Sequence, residues 1–124
     1  MAEWQEPESG PAPEAPTGGG NWAGDLEAIT QFAAGGIVSK TIVDRPKLVN
    51  ISLFSMATGE TMSSHAASRP ATIHVLGGEG RITIGDNVHD AKRGSFFYMP
   101  AGQPHALEST ADMVFLLYLI GERS

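Results

Sequence analysis

The chain has 124 residues, no cysteine, and 8 Lys and Arg against 14 Asp and Glu, which gives a formal net charge of −6 at pH 7. This length suits a single domain, and without cysteine there is no disulfide, thiolate nucleophile or thiolate metal site. We expect no nucleic-acid partner, because no basic cluster is present to neutralise phosphates. We expect no membrane partner either, because no apolar run approaches the roughly 20 residues that span a bilayer.

The N-terminal segment, residues 1–24, is acidic and rich in proline and glycine. Residues 1–25 hold five acidic residues and no Lys or Arg, whereas residues 26–124 hold nine acidic and eight basic residues. Such a segment buries too little apolar surface to offset the entropy of ordering, so we predict a disordered tail over 1–24 and a folded domain over 25–124. Its tryptophans, Trp4 and Trp22, are able to dock onto the domain or a partner, but a solvated tail in which both are incidental is the favoured interpretation. The acidic start is unlike a secretory signal, and we expect a cytoplasmic protein.

After the tail, the pattern is one of short strands separated by Gly and Pro. Residues 26–34 predict a short helix capped near Asp25 and ended by Gly35 and Gly36. Strands are predicted at 37–38, 41–43, 48–56, 72–76, 81–84, weakly through 89, at 96–99 and at 113–120. This spacing predicts a β-sandwich or barrel. The last strand is a continuous apolar run, which predicts burial on both faces, and a dimer contact is one way to cover the second face.

A spaced motif runs from Gly94 to Ser109. Its fixed positions are Gly94, Pro100, Gly102 and His105. They resemble the second conserved motif of the cupin superfamily, which has asparagine at the position of Ser109. Pro100 and Gly102 shape a tight turn, after which a strand returns with His105 directed inward.

A second stretch, fifteen residues before that motif, resembles the first cupin motif. Gly59, His65 and Gly78 match its fixed positions, but its second histidine position is Ala67 and its glutamate position is Ala71, or Thr72 with the longer spacing. The resemblance implies an all-β fold, a cupin-type jelly-roll β-barrel (double-stranded β-helix), over residues 25–124. Small single-domain cupins commonly dimerise, so it also implies a homodimer.

The resemblance also bears on metal binding. In cupins, three histidines and one glutamate hold a divalent transition metal inside the barrel, and here two counterparts remain, His65 and His105. With waters, this pair is able to hold Zn, Ni, Cu, Mn or Fe weakly, since imidazole suits these metals. The alternative is that both histidines are polar pocket groups bonded to each other, to water or to a ligand.

Other side chains are weaker candidates for the site. Strand alternation places His74 on the opposite face, and His89 is expected at the exposed end of the barrel. Glu60 and Glu108 are interpreted as solvated surface charges. Arg69 is expected to be exposed in its loop, with contact to an anionic substrate at the cavity mouth as the alternative.

The predicted pocket lining is apolar and rich in methionine. It comprises Phe54, Met56, Met62, Met99 and Tyr118. Methionine adapts to irregular apolar space, so this lining favours a small apolar or aromatic ligand.

These observations predict a small-molecule-binding cupin with a cavity centred on His65 and His105. One hypothesis is a metal-dependent enzyme of the dioxygenase, isomerase or lyase type, with the metal on those two histidines. The alternative is a metal-free, non-catalytic ligand-binding or sensory module, favoured by Ala67 and Ala71. The sequence does not decide between an enzyme and a binding protein.

Overall fold

The computed structural model describes residues 20–122 and the backbone of residues 8–11. These residues form one helix, α1 (Leu26–Ile29), and ten strands. The strands are β1 (Glu8–Pro11), β2 (Ile37–Arg45), β3 (Val49–Met56), β4 (Thr61–His65), β5 (Ala71–Gly77), β6 (Glu79–Ile84), β7 (Asn87–Lys92), β8 (Phe96–Met99), β9 (His105–Ser109) and β10 (Met113–Ile120). The strands predicted at 96–99 and 113–120 are confirmed to the residue, and those at 37–38 and 41–43 are parts of the single strand β2.

The strands form two sheets. The six-stranded sheet has the order β1-β2-β3-β10-β5-β8, and the four-stranded sheet has the order β4-β9-β6-β7. Strand β1 pairs in parallel with β2, and the other pairs are antiparallel. The β4–β5 and β5–β6 links both cross between the sheets. This arrangement confirms the predicted all-β jelly-roll barrel.

Apolar side chains between the sheets form the main core, here called the inner cluster. Its buried members are Phe54, Met56, Met62, Ala71, Ile73, Val75, Ile82, Ala91, Met99, Leu107, Met113 and Phe115. Phe54 and Phe115 are cross-strand partners whose rings stack with centroids 5.1 Å apart. Burying one such side chain contributes roughly 1.5–3 kcal/mol, so this cluster is the main source of stability.

A smaller core, the outer cluster, covers the other face of the six-stranded sheet. Its buried members are Ile42, Leu53 and Leu116, and the half-buried Trp22, Leu26 and Ile29 pack against it. Both faces of β10 are therefore buried, as predicted. The second face is covered by segment 22–29 of the same chain, so its burial requires no second copy.

Helix α1 is shorter than predicted. The Asp25 carboxylate caps it by accepting a hydrogen bond from the backbone N–H of Glu27 at 2.9 Å, which confirms the predicted cap. The helix ends at Ile29 because Thr30 adopts an extended backbone conformation, with φ −66° and ψ 129°. The hydroxyl of Thr30 donates to the carbonyl of Leu26 at 2.9 Å, which satisfies one carbonyl of this short helix.

Parts of the predicted tail are described. Strand β1 runs alongside β2 with Glu8 opposite Val38, and Trp22 packs on the outer cluster. The rest of the predicted tail, including Trp4, lies outside the described residues, so tail disorder and the boundary at residue 25 stay predictions. In the described part of the chain, no helix has the length and apolar character needed to cross a membrane.

Candidate histidine site

His65 and His105 lie opposite each other on adjacent strands of the four-stranded sheet. They are cross-strand partners of β4 and β9, and their ring centroids are 4.4 Å apart with the planes tilted by 55°. His105 is buried and His65 is half-buried. The structure thus brings together the two histidines that the motifs singled out.

A β-bulge in β4 gives His65 this position. Met62 pairs with Leu107 and His65 pairs with His105, so two residues on β4 stand opposite one on β9. In a regular strand, residues three apart such as Met62 and His65 would lie on opposite faces. The bulge lets both occupy the side of the sheet that carries the buried Leu107 and His105. Ser63, on the bulge, has a buried hydroxyl without a hydrogen-bond partner in the described part of the chain.

Backbone carbonyls orient both imidazoles. Nδ1 of His65 lies 3.0 Å from the carbonyl oxygen of Ser63, and Nδ1 of His105 lies 3.0 Å from that of Gln103. A carbonyl oxygen only accepts, so each Nδ1 carries the proton, and in the neutral ring Nε2 carries the lone pair. Burial lowers the pKa of His105 below its usual value, and the nearby His65 adds to this, while the bond to Gln103 opposes it. Both effects of the surroundings favour neutral His105.

Two turns from other strands close around the histidine end of the barrel. The N–H of Gly102, in the turn before His105, donates to the carbonyl of Ala67 at 2.9 Å, and the N–H of Gly85 donates to that of Pro104 at 3.0 Å. Gly102 has φ +80°, a left-handed conformation that glycine adopts without strain. The proline-glycine turn of the second motif therefore ties the loop after His65 to the strand that carries His105.

Four of the five predicted pocket residues lie in the inner cluster. Phe54, Met56, Met62 and Met99 are all buried there. Tyr118 does not join them, because on β10 it alternates with Leu117 and Leu119 and packs on the outer cluster instead. Placing Tyr118 in the pocket was therefore wrong about its face of the sheet.

A polar group on the opposite sheet was missed by the sequence reasoning. The hydroxyl oxygen of Ser52 lies 3.4 Å from that of Thr41 and 3.1 Å from Oδ1 of Asn50. Asn50 and Ser52 alternate with Phe54, so they share its inward face, and they pair with Leu119 and Leu117 of the same core. The signal was available, since Asn50 and Ser52 have the parity of Phe54 and Met56.

The remaining histidines lie away from this pair. His74 is on the outer face of β5, where its ring meets Phe96 edge-on at 6.4 Å. This confirms the opposite strand face predicted for it. His89 is exposed, as expected, and its ring centroid is 5.9 Å from that of Phe97.

The charged candidates differ in outcome. Glu108 is exposed and forms an ion pair with Arg81 at 2.9 Å, as expected of a surface charge. Glu60 is half-buried at the turn before β4. Arg69 was expected to be exposed, but its side chain is only 7% exposed and donates from one guanidinium nitrogen to the carbonyl of Gly121 at 3.0 Å. The exposed-loop expectation was wrong because the loop folds back onto the end of β10.

Known proteins resemble this chain over the region that contains the two histidines. A family model described as a cupin domain matches residues 52–121, which contain both histidines and both motifs. The chain belongs to the cupin family. A search of curated proteins found no match.

Solved structures share the fold of this cupin. A cupin superfamily protein from Desulfitobacterium hafniense is 25% identical with a TM-score of 0.73, over 78% of this chain and 88% of that one. A Cupin 2 conserved barrel domain protein from Leptotrichia buccalis is 32% identical with a TM-score of 0.71, over 77% of this chain but 46% of that one. A conserved protein of unknown function from Streptococcus pyogenes is 23% identical with a TM-score of 0.73, over 100% of this chain and 98% of that one.

The donor set of this cupin does not fit the metal centre that its motifs imply. The positions of the second histidine and the glutamate are Ala67 and Ala71, and Ala71 is buried in the inner cluster with no donor atom on its side chain. Among the described residues, no group of three or more His, Cys, Asp or Glu side chains is placed to hold a metal. Sites that hold a transition metal firmly use three or four protein ligands, and this one offers two. The fold supports small-molecule binding in general.

Proposed function

We propose that this protein binds a small polar molecule between its two sheets, against the imidazoles of His65 and His105, and does so without a resident metal. The observation that carries the proposal is the pair of facing rings, 4.4 Å apart, each oriented through Nδ1 by a backbone carbonyl. With Nδ1 donating to the protein, a ring in its neutral form carries a lone pair on Nε2 that accepts a hydrogen bond, and burial favours that form for His105.

The opposite wall supports a ligand with hydrogen-bonding groups. Thr41, Asn50 and Ser52 present hydroxyl and amide groups from the six-stranded sheet. The methionines, in contrast, are 0–4% exposed and pack within the inner cluster. We therefore propose a ligand that bears hydroxyl or similar groups, in place of the apolar or aromatic ligand that the sequence favoured.

A metal-dependent enzyme is the second candidate, and one observation favours it. Histidines that ligate metals commonly donate their other ring N–H to a backbone carbonyl, as both rings do here. The candidate metals are those expected from the sequence, namely Zn, Ni, Cu, Mn or Fe, and the reaction would be of the dioxygenase, isomerase or lyase type.

Elemental analysis separates the two candidates. We expect protein purified without added metal to carry well under one equivalent, and to bind zinc, nickel, copper, manganese or iron no more tightly than the His65→Ala and His105→Ala variants do. Stoichiometric metal that either substitution removes would establish the second candidate instead.

A ligand-detected NMR screen of small hydroxylated molecules tests the site itself. We expect compounds that contact the native protein to lose that contact in the doubly substituted His65→Gln, His105→Gln protein. They should keep it in the control His89→Gln, since His89 is exposed and lies away from the pair. If the double substitution leaves binding unchanged, the ligand site is elsewhere.

We also propose a homodimer and a cytoplasmic location, as the sequence and its resemblance to small cupins suggested. The outer surface beside β8 supports a second copy as partner, because Phe96 and Tyr98 are 61% and 57% exposed there. Exposed aromatic side chains that neighbour one another are typical of protein interfaces.

A further inference from the structure

Arg69 is a buried cation whose hydrogen-bonding capacity is mostly unused. Its side chain is 7% exposed, and one nitrogen donates to the carbonyl of Gly121 at 3.0 Å. A guanidinium has five N–H donors, and among residues 20–122 no carboxylate pairs with this one. Burying a charge without a partner is costly, so charged side chains are rarely fully buried unless they are paired.

The unused nitrogens of Arg69 remain open to a ligand. In the described part of the chain, the enclosed side-chain polar atom without a partner is the hydroxyl of Ser63. The unpaired nitrogens of Arg69 are not fully enclosed in this way, so part of their surface is accessible to solvent. The bond to Gly121 thus fixes one end of the guanidinium, while its remaining donors keep some contact with solvent.

The loop that carries Arg69 lies at the histidine end of the barrel. It connects His65 on one sheet to Ala71 on the other, and sheets in such folds are about 10 Å apart. Its Ala67 carbonyl accepts from Gly102 at 2.9 Å, and its Pro70 carbonyl accepts from Ile120 at 2.8 Å. These bonds fix the loop against the turn before His105 and against the end of β10.

The neighbouring turn is bonded to the residue that Arg69 contacts. The N–H of Gly121, whose carbonyl Arg69 contacts, donates to the carbonyl of Leu48 at 2.7 Å. Leu48 ends the β2–β3 turn, where Arg45 and Lys47 line an open depression of about 350 Å³. The acidic Asp44 and Glu122 lie beside Arg45 and Gly121 in the sequence, so an anion at this end of the barrel would be recognised by Arg69 itself and not by a positive surface.

We propose that Arg69 binds a carboxylate and that the small molecule contacted by His65 and His105 is therefore an organic acid with hydroxyl groups. This rests on the proposed ligand site at the two histidines. The planar fork of a guanidinium matches a carboxylate with two parallel hydrogen bonds, which a neutral amide cannot reproduce. The carboxylate supplies the buried cation with a counter-charge that residues 20–122 do not.

Matched acids and amides test the proposal. Glycolate, 4-hydroxybutyrate and 6-hydroxyhexanoate are titrated into the full-length protein, each beside its neutral amide, while NMR follows the Arg69 Nε–H and the imidazole signals of both histidines. The three lengths allow for the distance between the guanidinium and the rings. We expect at least one acid to bind tenfold or more tightly than its amide and to shift the signals of Arg69 and of both histidines.

Substitutions at Arg69 provide the decisive comparison. Arg69→Gln should remove the tenfold preference for the acid and leave amide binding unchanged, while Arg69→Lys should keep part of the preference because it retains the charge without the fork. Arg81→Gln is the control, since Arg81 is exposed and already paired with Glu108. Melting curves of each variant show whether it is folded. If Arg69→Gln is not folded, the comparison of acid with amide is made with Arg69→Lys.

The outcomes separate this proposal from the proposed function. Equal binding of acid and amide that still shifts the histidine signals overturns the role of Arg69 and leaves the histidine site standing. An acid that shifts Arg69 alone overturns the shared site. Sulfate that competes as well as the best acid overturns the assignment to a carboxylate, as does the failure of every acid to bind.

Discussion

At the scale of single residues, His105 combines burial with a neighbouring imidazole. Its ring is 5% exposed, and both its burial and His65 lower its pKa, against the hydrogen bond to Gln103. In the unfolded chain the same ring has an ordinary pKa of about 6.5. The unfolded state therefore binds a proton at higher pH than the folded state does.

This difference predicts an acid-sensitive contribution to stability. Above about pH 6.5 both states are neutral at His105 and its contribution is fully present, and it is lost as the pH falls through the lowered pKa of the folded state. Chemical unfolding at pH 7.5 and pH 5.0 should show a smaller loss of unfolding free energy for His105→Gln than for the native protein. His89→Gln is the control, because it changes an exposed ring, and its unfolding free energy should fall between pH 7.5 and pH 5.0 by as much as that of the native protein. If the unfolding free energy falls by the same amount in His105→Gln and in His89→Gln, the prediction is wrong.

At the scale of elements, β9 is fastened to the β3–β4 turn by Ser109. Its hydroxyl donates to the carbonyl of Ala57 and accepts from the N–H of Glu60 at 3.1 Å, and its carbonyl accepts from the N–H of Gly59 at 2.8 Å. Ser109 is 1% exposed. Strand β9 thus carries His105 at its start and is held at its end by Ser109, the residue that departs from the second cupin motif.

Removing this hydroxyl should weaken the attachment. Ser109→Ala removes the hydroxyl's hydrogen bonds, while the Glu60 N–H and the Ala57 carbonyl still pair with each other at 3.1 Å, so we expect a loss of about 0.5–1.5 kcal/mol of unfolding free energy. Urea unfolding at pH 7.5 measures the loss. Ser64→Ala, which changes an exposed serine on β4, should lie within about 0.5 kcal/mol of the native protein, and a similar effect of both substitutions would show that the Ser109 hydroxyl has no special role.

At the scale of the whole molecule, apolar surface is covered unequally. Segment 22–29 packs over Ile42, Leu53 and Leu116, whereas Phe96 and Tyr98, on the edge strand of the same sheet, remain exposed. The proposed second copy would cover that edge. Charge repulsion between two folded domains is weak, since residues 26–124 carry nine acidic and eight basic residues.

Light scattering tests this arrangement. We expect the native protein to have twice the chain mass of 13.1 kDa. Phe96→Glu with Tyr98→Glu should give a folded monomer, because two charges would be buried without partners. Val88→Glu introduces a charge at a 63% exposed position on the other sheet and should remain a dimer. A native monomer, or a dimer that survives both Phe96→Glu and Tyr98→Glu, would contradict the proposal.

Local information in the sequence was enough for much of this protein. Alternation and turn residues predicted the strands at 96–99 and 113–120, the Asp25 cap and the outward face of His74, because these depend on neighbours along the chain. Motif spacing identified the cupin fold and the two histidines. Their spacing is informative because the glycines and the proline shape turns that deliver His105 to a particular strand.

Tertiary structure alone decided the rest. The bulge that places Met62 and His65 on one face arises from the pairing of β4 with β9, and a one-residue difference reverses a strand's faces without any sign in composition. Tyr118 faces outward because the outer cluster and segment 22–29 bury the second face of β10. Arg69 is buried because its loop meets the end of β10, fifty-two residues further along the chain. Such contacts join residues distant in sequence, so local patterns carry no record of them.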